Sequence, residues 1–284
     1  MTHRDYPTLI RIAADVSERL GKHPGTAFAE GVVDAIDFVL DPQRTGRTEI
    51  SQLDQVEKTF IGLKVEHFIR DLLDLPASVR DLRIAGLEVD VKNTVGRSRD
   101  WMIPLETYRA REPVLLIASN PDARVSSMGV MVADLKYLGA PNRDRKRRVL
   151  SSSNKHILWI VEDSPWPKSR WEGLEMARFQ ELRVGKESGQ VRTAAFFREN
   201  PWRATHRSVI VALLHGHYDP LKRIRGGGGA RDILKHEGVA LLSSTYGGDL
   251  LAELGQPIGE DEFIAVIPRT PEEFRLLRAA GKIA

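Results

Sequence analysis

The sequence predicts an α/β fold, with a helical opening, a central mixed sheet and then a second compact module of small helices. Three observations carry this reading. Apolar residues recur at helical spacing over residues 7–20, 26–40 and 52–73. Residues 87–94 alternate apolar and charged, and residues 113–119, 127–135 and 157–161 are short apolar runs, as in strands with one or both faces covered. The last third changes character, with a glycine run among basic residues and several short helical stretches. A boundary near 165–200 divides an expected domain 1–165, with residues 1–45 as its helical scaffold, from a domain 166–284.

In the first helix Leu9, Ile10, Ile12, Ala13, Val16 and Leu20 share a face, and Gly21 and Pro24 end it. Phe28, Val32, Val33, Ile36, Val39 and Leu40 repeat the pattern, so the pair reads as a packing or dimerisation scaffold. Residues 41–50 are a polar connector. In the third helix the stripe is Phe60, Ile61, Val65, Phe68, Ile69, Leu72 and Leu73, with Glu66 beside it. Residues 95–112 read as a basic, aromatic loop, and 142–148 as the densest basic run. Residues 176–197 are mainly helical, 230–236 and 248–254 are short helices, and 262–267 is a strand. The final helix, 271–280, is capped by Thr270 and ended by Gly281.

Composition bounds the function. Hydrophobic content of 42% supports a packed core, and a net charge of +3 with clustered arginines is compatible with a nucleic-acid partner. Cysteine is absent, which excludes disulfides, cysteine zinc sites and a thiol nucleophile. No apolar run reaches the ~18 residues of a membrane span. The start, Met1 to Asp5, lacks a basic-then-apolar leader, so a cytoplasmic protein is expected.

The chemistry concentrates in residues 81–94. Leu87, Val89 and Val91 point one way along a strand, and Glu88, Asp90 and Lys92 the other. Asp90 and Lys92 then stand ~6–7 Å apart on one face, and Asp81 can supply a second carboxylate from the start of this hairpin-like segment. An acid followed by acid-x-Lys on a strand resembles the PD-(D/E)xK endonucleases. Acid-x-Lys alone is common, and its plain alternative is a solvated strand face with a local ion pair. Arg97 and Arg99 follow as candidate DNA contacts, and Trp101 reads equally as core.

In the last third, Lys222, Arg223 and Arg225 lead into Gly226–Gly229, followed by Arg231. Without a following Lys-Ser/Thr this is no P-loop. It reads either as a flexible surface loop or as backbone amides, at Gly227 and Gly228 among others, approaching DNA phosphates beside those cations. His206, His215 and His217 lack ligand-spaced partners other than Asp219 and read as ordinary polar positions or DNA contacts. Ser243 and Ser244 have no evident His/Asp pair, so a serine hydrolase is disfavoured.

Over about residues 50–268 the chain resembles the NaeI-type restriction endonucleases. The resemblance rests on Gly62-Leu-Lys-Val-Glu-His67, on Ala85-Gly-Leu-Glu-Val-Asp-Val-Lys92 and on the stretch from Asp219 through the glycine run to Asp232. It implies a mixed-sheet restriction-endonuclease-like domain followed by a winged-helix-like domain that binds a second, effector DNA. It further implies a Mg²⁺-dependent type II enzyme, working as a homodimer and cutting both strands of DNA at a specific, palindromic site. The family's catalytic positions fall on Glu66, Asp81, Asp90 and Lys92, and the metal would be held by Asp81, Asp90 and the carbonyl of Val91, where a relative has Cys. Two rivals are a mismatch or repair nickase on the same core and a non-enzymatic winged-helix regulator.

Overall fold

The computed structural model describes residues 5–76 and 78–284; residues 1–4, on which the reading of the leader rests, lie outside them. Helices α1 (Tyr6–Leu20), α2 (Pro24–Leu40), the single-turn α3 (Pro42–Thr45) and α4 (Gln55–Leu72) open the chain. There follow β1 (Leu82–Ile84), β2 (Leu87–Val95), β3 (Met102–Ile103), α5 (Leu105–Ala110), β4 (Pro113–Asn120), β5 (Val125–Val132), β6 (Leu138–Pro141), β7 (Arg147–Val149) and β8 (Leu158–Pro165). The remainder is α6 (Met176–Val184), α7 (Gly189–Glu199), β9 (Thr205–His206), α8 (Arg207–Leu213), α9 (Ala230–His236), β10 (Ala240–Ser243), α10 (Gly248–Glu253), β11 (Glu262–Val266) and α11 (Pro271–Ala279). The chain divides into two compact units, one running through residue 40 and then from 49 to 169, the other made of residues 41–48 and 170–284.

The first unit is built on a sheet of order β1-β2-β4-β5-β8. β2 and β4 run parallel, from Asp90 opposite Val114 to Val95 opposite Ser119, and the other neighbours are antiparallel. On one face Val89, Val91, Leu115, Ile117, Met128 and Val130 share a core with the apolar sides of α1, α2 and α4. On the other, Val114, Leu116 and Met131 pack with Trp101, Ile103, Tyr108 and Val149, beneath α5 and a small sheet of order β3-β7-β6. Both faces are covered, which is why β4 and β5 read as unbroken apolar runs. Burying valines such as Val89 and Val91 stabilises the sheet by ~1.5–3 kcal/mol each.

Several sequence expectations change here. Residues 95–112 are no plain loop, because the parallel β2–β4 pairing needs a crossover, and that crossover contains β3 and α5. Trp101 is 1% exposed and its Nε1 donates to the Ile117 carbonyl at 2.7 Å, so it belongs to the core. In α4, Ile61, Val65 and Ile69 are buried but Phe60 is 49% exposed, which takes it out of the stripe. The helix begins at a capping box in which the Glu57 amide donates to Asp54 Oδ1 (2.8 Å) and the Asp54 amide to Glu57 Oε2 (3.0 Å). The β1–β2 turn has positive φ at both Ala85 (50°) and Gly86 (81°), as a two-residue hairpin of type I′ requires. Asp15 and Arg11 of α1 hold that turn through the Ala85 amide and carbonyl.

The second unit has its own core, formed by Phe179, Phe196 and Phe197 with Val209, Ile210, Leu213, Leu234 and Leu241. Residues 41–48 are more than a connector, since α3 lies against α6 and Gln180 Nε2 donates to the Arg44 carbonyl. The predicted helical stretch 176–197 is two helices, α6 and α7. One strand was expected in the last third; the unit instead holds a sheet of order β10-β11-β9. β9 has two residues and β10 four, too few for alternation to show. Thr270 caps α11 by accepting from the Glu273 amide, and Gly281 follows with φ 67°. Among the described residues no helix is long and apolar enough to cross a membrane.

Candidate active site

The site forms where β1 ends. β1 pairs with β2 only through Leu87–Val89, whereas β2 runs on to Val95 against β4. Beyond Val89 the side chain of Asp81 takes over from the missing strand, its Oδ2 accepting from the Val91 amide at 2.6 Å. That fold brings the first acid onto the second acid and the lysine. Lys92 Nζ lies 2.5 Å from Asp90 Oδ1, 2.6 Å from the Val91 carbonyl and 3.5 Å from Asp81 Oδ2. Three oxygens thus surround one positive charge.

The charged face of β2 is not solvated at Asp90. Asp90 is 5% exposed because α5 covers it, and its Oδ2 accepts from Thr107 Oγ1 at 3.0 Å. Thr107 itself is 1% exposed. The two carboxylate oxygens are therefore divided, Oδ2 to the threonine and Oδ1 to the cluster. Upstream, Arg80 makes a two-pronged ion pair with Glu112 (2.7 and 3.2 Å), and its amide donates to Glu88 Oε2, bracing the residue before Asp81. Thr107 and Glu112 are members of the site region that sequence reasoning missed; nothing in their spacing marks them.

Burial and neighbouring charge separate the protonation of the acids. Desolvation lifts the Glu66 carboxyl to about 7, opposed by Lys92 and assisted by Asp81 and Asp90, so the helix α4 acid does share the field of the cluster. Desolvation, then the hydrogen bond with Asp81, lifts Asp90 to about 6. Asp81 is also pushed up by burial, but its bonds to Asp90, the Val91 amide and Lys92 prevail and hold it below the usual carboxylate range. Burial pulls Lys92 down, yet the three acids outweigh it and keep the ammonium protonated.

This has a consequence for stability. A carboxyl whose pKa is raised by folding leaves its full stability in place below its unfolded pKa and loses it as pH rises through the folded value. For Glu66 the window runs from 4.5 to about 7. In chelator, Glu66→Gln is expected to melt higher than the parent at pH 8 and equally at pH 4. After discounting for partial exposure the gain is on the order of 1–2 kcal/mol. Melting curves at the two pH values check it; equal midpoints at pH 8 would contradict the burial argument.

The donor set fits a hard divalent cation. Two carboxylates and a backbone carbonyl are all oxygen, and they already converge on a cationic atom, Lys92 Nζ. Among the described residues no cluster of three or more His, Cys, Asp or Glu side chains is placed to hold a metal. Two carboxylates and one carbonyl would leave water and phosphate oxygens to complete the shell of such a cation.

The remaining predicted residues fall in two places. Arg97 is exposed and pairs with Asp122 at 2.9 Å; Arg99 pairs with Asp163 at 3.2 Å and lies 4.6 Å over the Trp159 ring. Both line a recess of about 400 Å³ at the end of β2. In the second unit Lys222 and Arg225 are exposed and Arg223 half-buried. Gly227 and Gly228 have φ of 80° and 92°, and the Gly228 amide donates to Asp232 Oδ2 at 2.7 Å. At Gly229 a Cβ would lie 2.0 Å from the Arg225 carbonyl, so close approach of backbone demands glycine there. Arg231 is held over Tyr246 at 3.7 Å and donates to the Leu241 carbonyl. His206 Nδ1 accepts from the Ser208 amide at the head of α8, and His217 Nε2 lies 2.8 Å from Arg192 Nη2, ordinary polar roles for both.

The geometry can be set beside known proteins. The family model described as restriction endonuclease NaeI matches residues 14–272. The type II restriction enzyme NaeI of Lentzea aerocolonigenes is 30% identical over 238 residues, 79% of this chain and 72% of that protein. A match that spans both units, together with this identity, shows that the chain belongs to the NaeI restriction endonuclease family and is a homologue of a type II restriction enzyme.

Proposed function

We propose that the chain is a Mg²⁺-dependent type II restriction endonuclease that hydrolyses both strands of DNA at a specific site. The observation that carries this is the convergence of Asp81, Asp90 and the Val91 carbonyl on one positive charge, with Glu66 half-buried beside them. A bound divalent cation would supply charge against the phosphate and lower the pKa of water nearby. Asp81 and Asp90 would hold it, with the Val91 carbonyl as third donor. Lys92, kept protonated by its neighbours, orients the attacking water and offsets charge building on the phosphate; it serves as a cation and not as the base. Glu66, with a pKa near 7, is matched to accept a proton at neutral pH.

Thr107 acts through Asp90, as a positioning residue. Thr107→Val leaves Asp90 Oδ2 buried without its donor, and we expect roughly a tenfold or greater loss of cleavage. Thr107→Ser should recover most of the rate. Equal rates for the Val and Ser variants would show that the hydroxyl has no such role.

In the second unit the order α7-β9-α8-α9-β10-α10-β11, with β11 between β10 and β9 and α10 in the connection between the last two strands, supports a winged-helix-like reading. On that reading α9 is the groove helix, and Lys222, Arg223, Arg225 and the Gly227 amide face phosphates of a second, effector DNA, while Arg231 and the Gly228 amide, engaged within the unit, shape the loop that presents them. A homodimer is the assembly proposed, since cutting both strands of a palindrome calls for two such sites. Incubating the purified protein with mixed-sequence plasmid, with and without Mg²⁺, tests the reading. Discrete double-strand fragments only with metal support it; nicks alone would favour a repair-type nickase, and intact plasmid a regulator.

A further inference from the structure

A cleft of about 460 Å³ lies between the first half of α4 and the far half of β2, lined among others by Gln55, Lys58 and Thr59 on the helix and by Asn93 and Thr94 on the strand. Asn93 directly follows Lys92 and, by the pleat, points to the α4 side of the sheet, opposite Asp90 and Lys92, so the cleft opens along the β2 edge that β1 leaves free, one residue on from the cluster. Both amide atoms of Asn93, Nδ2 and Oδ1, are shielded from solvent and have no hydrogen-bond partner among the described residues. A shielded donor and acceptor with no partner are unfavourable unless something arrives to meet them. Asn93 is the one asparagine, and the one residue of β2, with this property among the described residues.

We propose that this cleft receives the nucleotide next to the scissile phosphate and that Asn93 reads its base. The proposal rests on the nuclease reading above and adds a specificity determinant to it. The chemistry selects among the parts of DNA. Phosphate oxygens and the sugar ring oxygen only accept hydrogen bonds, so either would satisfy Nδ2 and leave Oδ1 orphaned. A base edge is the one part of a DNA strand that sets a donor beside an acceptor. In an intact duplex adenine shows this pair in the major groove, through N6 and N7, and guanine carries the added donor in the minor groove. A purine therefore matches Asn93, while Lys58 at the rim faces the strand's phosphates.

The test compares the wild-type chain with Asn93→Ala and with Asn93→Asp, a near-isostere that keeps the acceptor and loses the donor. Fragment ends from wild-type plasmid digests give the site, and anisotropy titrations in Ca²⁺ then measure binding to that site and to each single-base variant of it. Discrimination at one base pair, a purine beside the cut, is expected to fall about ten- to a hundredfold in both variants, with the other positions unchanged. Binding needs no turnover, so a loss of cleavage in the variants does not obscure the result. If both variants discriminate at every position as the wild type does, the inference is overturned while the nuclease reading stands. If the wild type cuts no DNA with Mg²⁺, both fall together.

Discussion

Asp90→Asn is expected to lower Mg²⁺-dependent cleavage by about a thousandfold or more, the largest effect of any single change in this chain. The substitution keeps the shape and leaves an oxygen to accept from Thr107, while the charge is lost and an NH₂ group replaces the oxygen that Lys92 now meets. Asp90 is 5% exposed and contributes Oδ1 to the cluster, so no solvent group can replace it. The loss of a metal-holding carboxylate removes several kcal/mol of stabilisation of developing charge, which is roughly three orders of magnitude in rate. Single-turnover cleavage of a supercoiled plasmid measures it, with the melting temperature as a check on folding. Asp81 makes a less clean subject, because Asp81→Ala would also strip the Val91 amide of its acceptor. A rate for Asp90→Asn within tenfold of the parent would remove Asp90 from the chemistry.

Lys92→Met separates two roles that a simple loss of activity would merge. Turnover is expected to fall by about 10²–10³, the range for removing one preorganised group that offsets charge in the transition state. Divalent-ion binding should stay as tight as in the parent or tighten. The reason is the position of Nζ, which sits among the same three oxygens that the cation needs. Removing the ammonium removes a competitor. Calorimetry with Ca²⁺ on both proteins gives the answer. Weaker binding in Lys92→Met would mean that the ammonium organises those oxygens instead of competing for them.

The catalytic strand was legible because its signals are local. Alternation over residues 87–94 fixes which side chains share a face, and Ala85-Gly86 fixes the hairpin that returns Asp81 to Val91. Helices long enough to show a period, such as α1, α2 and α4, were legible for the same reason. What escaped depends on long-range packing. The six-residue helix α5 has no room for a period, yet it determines that Asp90 is buried and that Thr107 touches it. Phe60 fits the apolar pattern of α4 but stands exposed, because pattern marks a stripe and only the partner decides how wide it is. In the second unit β9 and β10 gain their identity from β11, to which both pair. Arg231 illustrates the limit for binding residues, since charge in the sequence does not reveal that Tyr246 and the Leu241 carbonyl already engage it.

Anomalous difference density from crystals soaked in Mn²⁺ shows whether one set of oxygens, from Asp81, Asp90 and Val91, seats a divalent cation. The expected peak is flanked by the Asp81 and Asp90 carboxylates and the Val91 carbonyl, with Lys92 Nζ displaced from them. A peak elsewhere in the chain, with Lys92 still lodged among those oxygens, would contradict that seat.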